Sequence, residues 1–329
     1  MCKVAPTATG CKSNTNNWGQ IPIMRILLLG KGGQVGWELQ RSLSVLGQLT
    51  ALDFDTTELD GMPVCGDFSQ PERVAQTVRV LRPDVIVNAA AHTAVDKAES
   101  EPDLARRLNA TTPGLIAQEA KKLGAWLMHY STDYVFDGSG ATPWVETDAP
   151  APLNVYGQTK LEGEQAITQS GCQHIILRTS WVYGARGGNF AKTMLKLAQE
   201  REELKVINDQ VGAPTGADML ADVTAHIIAH SLANAEASDV SGIYHCVAAG
   251  QTTWADYASH VLSLAKSIQP AMDIKARVLP VPTSAFPTAA KRPHNSRLNT
   301  TKLHHIFGLT LPHWQAGVSR MLTEFLDHP

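Results

Sequence analysis

Long apolar runs are missing from this sequence. No stretch approaches the ~20 residues that cross a bilayer, so no membrane span is expected. A basic excess is missing too: 28 Lys and Arg stand against 31 Asp and Glu, a net charge of -3. No surplus of cations is there to neutralise a nucleic-acid backbone, and no nucleic-acid partner is expected. Cysteine is scarce. The five present (Cys2, Cys11, Cys65, Cys172, Cys246) are odd in number and widely spaced, with no Cys-x-x-Cys. That argues against a disulfide framework or a thiolate metal cluster, and for a reducing, cytoplasmic setting. Residues 1–23 lack the apolar core of a secretory signal and carry no Arg. They read as a disordered leader rather than a targeting segment, with Met24 as a second start. The remaining composition, 43% hydrophobic and 18% charged over 329 residues, suits one large or two modest globular domains.

From Arg25 to about Ser180, short apolar runs alternate with helical stretches. RILLL (25–29), LTALD (49–53), DVIVNAA (84–90), AWLMHYS (125–131) and HIILRTS (174–180) read as buried strands. Segments 34–47 and 104–124 read as helices, the second with a local distortion at Pro113 and Gly114. Strands separated by helices imply an α/β fold, a Rossmann-type doubly wound parallel sheet. The expected division is a dinucleotide-binding domain over 24–180 and a smaller C-terminal substrate-binding lobe over 181–329. Later segments near 204–233 and 242–246 are expected to return to the sheet. The Pro-rich stretch 277–295 is expected to be a loop, because proline is excluded from central strands and helix interiors.

The first strand runs into Gly30-Lys31-Gly32-Gly33-Gln34-Val35-Gly36, with a helix behind it. Gly30 permits the tight turn, Gly33 a close approach of backbone to a pyrophosphate, and Gly36 close helix–strand packing. Three glycines alone are a weak signal; between a first strand and a first helix they are a strong one. Asp53 ends the second strand about 20 residues on, where an acid binds the adenosine ribose. Its charge favours NADH over NADPH, while Lys31 can offset that preference. Asp67 is placed to bond an adenine amine and Phe68 to cover the ring. Ala90, Ala91, His92 and Thr93 end the third strand, where small residues let a cofactor lie close. His92 reads as a satisfied polar neighbour rather than a base.

Tyr156 and Lys160 lie four residues apart at the start of a helix, hence on one face, one turn apart. A phenol near pKa 10 is a poor acid–base group at neutral pH, and a nearby ammonium is expected to lower it. Tyr-x-x-x-Lys arises often by chance; its weight here comes from following the fourth strand of a dinucleotide fold. That strand ends in Ser131-Thr132-Asp133. Thr132, with Ser131 as the alternative, is the hydroxyl that would bond both the tyrosine and a substrate carbonyl.

Together these segments resemble extended short-chain dehydrogenase/reductases that act on sugar nucleotides. GKGGQVGWELQ, RPDVIVNAAAHTAVDKAESEP, STDYVFDG, PLNVYGQTKLEGE, RTSWVYG, NFAKTML, VINDQVGAPTG and SRLNTTKL are similar to the dTDP-4-dehydrorhamnose reductase family, from about Met24 to the last helix. The resemblance implies reduction at C4 of dTDP-4-dehydro-β-L-rhamnose by NADPH or NADH, for a surface polysaccharide. It implies Tyr156 as proton donor with Lys160 and Thr132 beside it. It implies Gly33, Gln34 and Val35 at the phosphates, Asp53, Asp67 and Phe68 at the adenosine, and Thr132, Asp133 and Trp181 at the substrate. Some members form a dimer with an interfacial magnesium ion; the matching residues are Glu38, Asp218 and Glu324. Asp218 stands where the family has Glu, shortening the reach by one methylene, and Gly32 where it commonly has Thr. Two rival readings remain: another sugar-nucleotide epimerase or dehydratase, and a non-enzymatic subunit like the regulatory partner of methionine adenosyltransferase.

Overall fold

Apolar runs too short for helices form the centre of the molecule. In the computed structural model, which describes residues 23–233 and 240–327, they are β1 (Arg25–Leu29), β2 (Gln48–Leu52), β3 (Val85–Asn88), β4 (Trp126–Thr132) and β5 (Gln173–Thr179). Between β5 and the sixth strand of the sheet, β7 (Gly242–His245), lies β6 (Glu203–Ile207). The sheet order is β7-β5-β4-β3-β1-β2, every pair parallel. The expected leader, apart from Ile23, lies outside the described residues.

Alternate residues of these strands enter two cores, as the two-residue period requires. Ile26, Leu28, Val85, Val87 and Leu177 pack beneath α1 (Gln34–Leu43) and α6 (Ala217–Ala233). Leu27, Leu29, Ile86, Leu127 and Ile176 pack beneath α2 (Pro71–Leu81), α3 (Thr112–Leu123) and α4 (Val155–Ser170). Covering both faces is what makes the strands near-continuously apolar. The order reverses between β1 and β3, so their carboxyl ends diverge and open a cleft there.

The lobe has its own core. It gathers α5 (Phe190–Glu200), β6, α7 (Trp254–Ile268) and α8 (Trp314–Asp327), with β8 (Arg277–Val281) paired parallel to β6.

Two expectations change and one is given its form. β6 does not return to the main sheet; it belongs to the lobe. The stretch 277–295 is not wholly loop: it begins as β8, where Pro280 is tolerated in a two-stranded ribbon that leaves an edge free. The helix expected over 104–124 runs without interruption from Pro102 to Leu123, with the expected distortion taking the form of a π-helical turn, Arg107–Thr111, just before Pro113. Pro113 has no N–H to offer the Asn109 carbonyl, and Gly163 of α4 packs against that same oxygen, which a Cβ would meet at 2.1 Å.

Candidate active site

The glycine loop leaves β1 at the point of divergence. Gly30 has φ +85°, and a Cβ there would lie 2.7 Å from the Ala90 nitrogen. Only glycine allows β1 to turn this close to the end of β3. Gly33 caps α1 without a side-chain bond, so the first N–H groups of Gln34 and Val35 stay open to an anion at the positive end of the helix. Asp53 reaches across from the end of β2, where Phe54 N–H donates to its Oδ1 at 2.9 Å. A Cβ on residue 32 would meet Asp53 Oδ2 at 2.2 Å. The glycine that departs from the family's threonine is therefore what lets Asp53 lie over the loop.

Asp67 is engaged by its own turn. Burial raises its carboxyl, but Gln70 Nε2 (2.7 Å) and Ser69 N–H (2.9 Å) donate to it and hold it below its usual range. Phe68 has its ring in the core with Val74 and Ile116. That corrects the expectation that the ring covers an adenine: an apolar side chain between α2 and α3 gains more from burial than from a solvent-facing cleft. Ala90 and Ala91 are half-buried and Thr93 exposed. His92 is buried, its backbone N–H donating to Asn109 Oδ1 at 2.8 Å, and its Nε2 stands 3.7 Å from Glu101. Its ring Nδ1 is buried with no hydrogen-bond partner among the described residues, so the segment is held through its backbone rather than by the satisfied side chain the sequence led one to expect. Asn109, brought round by the π turn, also donates to the His92 carbonyl (3.1 Å) and to Thr159 Oγ1 on α4 (3.1 Å). The sequence reading passed over it, because only the unpredicted turn aims it there.

Tyr156 and Lys160 lie on the first turns of α4. Asn154 caps this helix, accepting from Gly157 N–H at 2.8 Å. A Cβ on Gly157 would meet the Tyr134 carbonyl at 2.2 Å, so glycine lets the helix start press against the turn after β4. Tyr156 is thereby brought near Thr132, whose hydroxyl lowers the phenol's proton affinity, and its ring meets Tyr134 edge-on at 5.5 Å. Ser131, the alternative, is buried on the strand with no partner for its hydroxyl among the described residues. Thr132 Oγ1 also donates to Asp133 Oδ1 at 3.1 Å.

The electrostatics differ from expectation. Burial pushes the Tyr156 phenol up to about 12, the nearby Thr132 hydroxyl opposes this, and Asp133 adds to it. Lys160 does not lower it: its Nζ donates to the Tyr130 carbonyl at 2.6 Å and lies 3.2 Å from His129 Nε2. Burial brings Lys160 itself down to about 8. Burial likewise raises Asp133 to about 7, against the opposing pull of nearby Ser296 and of the Thr132 hydroxyl bonded to its Oδ1; its Oδ2 is buried with no hydrogen-bond partner among the described residues.

Trp181 closes the lobe side. It holds a left-handed φ of +48°, rare for a bulky residue and a conformation the surroundings must impose. Its ring stacks on Trp254 at 3.7 Å. Across the mouth runs the segment after β8. Arg292 Nη2 donates to Asp96 at 2.6 Å, Asn154 Nδ2 to the Lys291 carbonyl at 2.7 Å, and Thr283 N–H to Asp209 at 2.9 Å. Trp254, Arg292 and Asn109 carry no local sequence signature; only the tertiary fold gathers them.

Glu38, Asp218 and Glu324 do meet, lining one small pocket with Arg320. They do not fit a magnesium ion as arranged. Arg320 donates to Asp218 at 2.7 Å, and Arg41 stands 3.8 Å from Glu38. Among the described residues, no three His, Cys, Asp or Glu side chains are gathered closely enough to hold a metal. No helix among them is long and apolar enough to cross a membrane.

Residues 24–326 match the model of a family described as the RmlD substrate binding domain. The chain is 60% identical over 301 residues to the dTDP-4-dehydrorhamnose reductases of Shigella flexneri and of Escherichia coli K12, covering 92% of this chain and 98% of each relative. The crystal structure of dTDP-4-dehydrorhamnose reductase from Bacillus anthracis, in complex with NADP, superposes with a TM-score of 0.80 at 35% identity, over 92% of this chain and 99% of that one. A cleft with an open helix N-terminus on one wall and a tyrosine–threonine pair on the other, matched along nearly the whole chain, places this protein in the dTDP-4-dehydrorhamnose reductase family.

Proposed function

We infer that this chain reduces the C4 carbonyl of dTDP-4-dehydro-β-L-rhamnose to dTDP-β-L-rhamnose, using NADPH or NADH. The observation that carries the reading is Tyr156, set on the first turn of α4 against the turn after β4 and buried near Thr132, beside the sheet's switch point. When bound, the reduced nicotinamide supplies the hydride. The chain's residues then have two tasks: to hold the two reactants face to face, and to deliver a proton to the carbonyl oxygen.

Gly33, Gln34 and Val35 would receive the pyrophosphate, and Asp53 the adenosine ribose. Ala90, Ala91 and Thr93 would line the middle of the cofactor, with His92 holding that segment through Asn109. Tyr156 is the proton donor. A phenol raised to about 12 is wholly protonated at neutral pH, which is the state an acid must have before reduction. Thr132 aims it and, with Asp133 and Trp181, would hold the sugar nucleotide. Lys160 would contact the nicotinamide ribose. The match along nearly the whole chain, with Tyr156, Lys160 and Thr132 all in place, tells against the epimerase, dehydratase and regulatory-subunit readings.

The test is steady-state consumption of NADPH and of NADH with the dehydrorhamnose nucleotide as sole oxidant. Turnover with at least one cofactor is expected; none with either overturns the reading.

A further inference from the structure

Behind Lys160 lies a buried chain of polar groups that runs from α4 through β4 to the end of β3. Asn88, the last residue of β3, is 1% exposed, as is His129 on β4; Lys160 is 2% exposed. The orientation of the Asn88 amide is fixed, because its Oδ1 accepts the Ala90 N–H at 3.0 Å. Its Nδ2 therefore faces His129 Nδ1, at 2.9 Å, as a donor. An Nδ1 that accepts carries no hydrogen, so the proton of the neutral imidazole is on Nε2. Burial, then Lys160, then His174 hold this ring well below the ordinary histidine range, which keeps it neutral.

That Nε2–H points at Lys160 Nζ, 3.2 Å away. An ammonium has three donors and no acceptor. An N–H facing an ammonium is a donor against a donor, while an N–H facing a neutral amine is a hydrogen bond. The same Nζ donates to the Tyr130 carbonyl, which either form of the lysine can do.

We propose that His129 is a positioning residue, whose Nε2–H, fixed by Asn88, holds Lys160 against β4 and biases it towards the neutral amine. Burial acts on Lys160 in the same direction, lowering its affinity for the proton. The other charged or titratable groups around the pair are few. Glu164, one turn along α4, favours the charged lysine, but both its oxygens are bound by Arg178, at 2.9 and 2.6 Å. His174 on β5 adds a smaller influence that also disfavours a charged His129 ring. The chain ends at Ala90, whose nitrogen abuts Gly30. Strand, lysine and cofactor wall are thus joined by one set of hydrogen bonds.

The proposal rests on the reductase reading only for what Lys160 does in turnover; the ring tautomer is readable without it. In protein labelled with 15N at the histidine rings, the resonances of His129, identified by their loss in His129→Gln, are expected to show a neutral ring protonated at Nε2 from pH 6 to 8. A ring protonated at Nδ1, or charged in that range, overturns the proposal whatever the enzyme does. In kinetics, His129→Gln offers Lys160 an amide oxygen as acceptor. The alkaline limb of kcat/KM for the cofactor is expected to move up by about one pH unit, a tenfold change in proton affinity. An unchanged limb in a folded, active variant overturns it. Inactivity of the unmutated protein instead strikes the reductase reading and leaves the tautomer result standing.

Discussion

The Tyr156 phenol and the Asp133 carboxyl sit side by side under the same burial, and burial acts on them in the same direction. Each loses water that would favour its anion, so each holds its proton to higher pH. For Tyr156 this makes an acid. For Asp133 it makes a cost. A carboxyl whose proton affinity rises from 3.8 in the unfolded chain to about 7 in the fold contributes stability that is fully present below pH 4. That contribution drains away as pH rises to 7. Asp133→Asn removes the titration. Its melting temperature relative to the unmutated protein is expected to climb by several degrees between pH 4.5 and 8, read by calorimetry at matched ionic strength. A difference that stays flat across this range contradicts the buried, proton-holding carboxyl.

At the scale of elements, α4 carries the chemistry and is fastened at its start and past its middle. Asn154 caps its start, and Glu164 binds Arg178 of β5 through two hydrogen bonds, both side chains 2% exposed. Removing one partner of such a pair leaves a buried charge unmatched, at a cost of about 3–5 kcal/mol. Glu164→Leu is expected to lower the unfolding free energy by that order in denaturant titration; a loss below about 1 kcal/mol would mean that Arg178 finds other company. The strands of the sheet, the glycine loop and the Tyr156–Lys160 pair were legible in the sequence, because period-two apolar runs and glycine spacing are local signals. Lys160's partners were not. His129 and Asn88 look like ordinary strand residues until β3 and β4 are laid side by side. A distortion near Pro113 was legible, but not its form as a π turn that aims Asn109 and presents the Asn109 carbonyl to Gly163 of another helix. Phe68 was misread because its burial is decided by α2 and α3 together.

In the whole molecule, a sheet that changes direction between β1 and β3 provides the cofactor cleft, and segments from the last third of the chain roof it. The roof is held by Arg292 to Asp96 and by Asn154 to the Lys291 carbonyl, contacts nearly two hundred and about 140 residues apart in sequence. Arg292→Ala is expected to raise KM for the sugar nucleotide severalfold while leaving the cofactor dissociation constant unchanged, since the glycine loop lies on the other wall. Equal weakening of both would show that the roof serves the fold rather than the substrate. The reduction depends on the proton delivered by Tyr156, and Tyr156→Phe isolates that proton, because it deletes one oxygen and keeps the ring. With the dehydrorhamnose nucleotide and saturating cofactor, kcat is expected to fall by about 10²–10⁴-fold, with cofactor binding unchanged by fluorescence titration. A Phe variant that turns over at near-normal kcat would contradict the account.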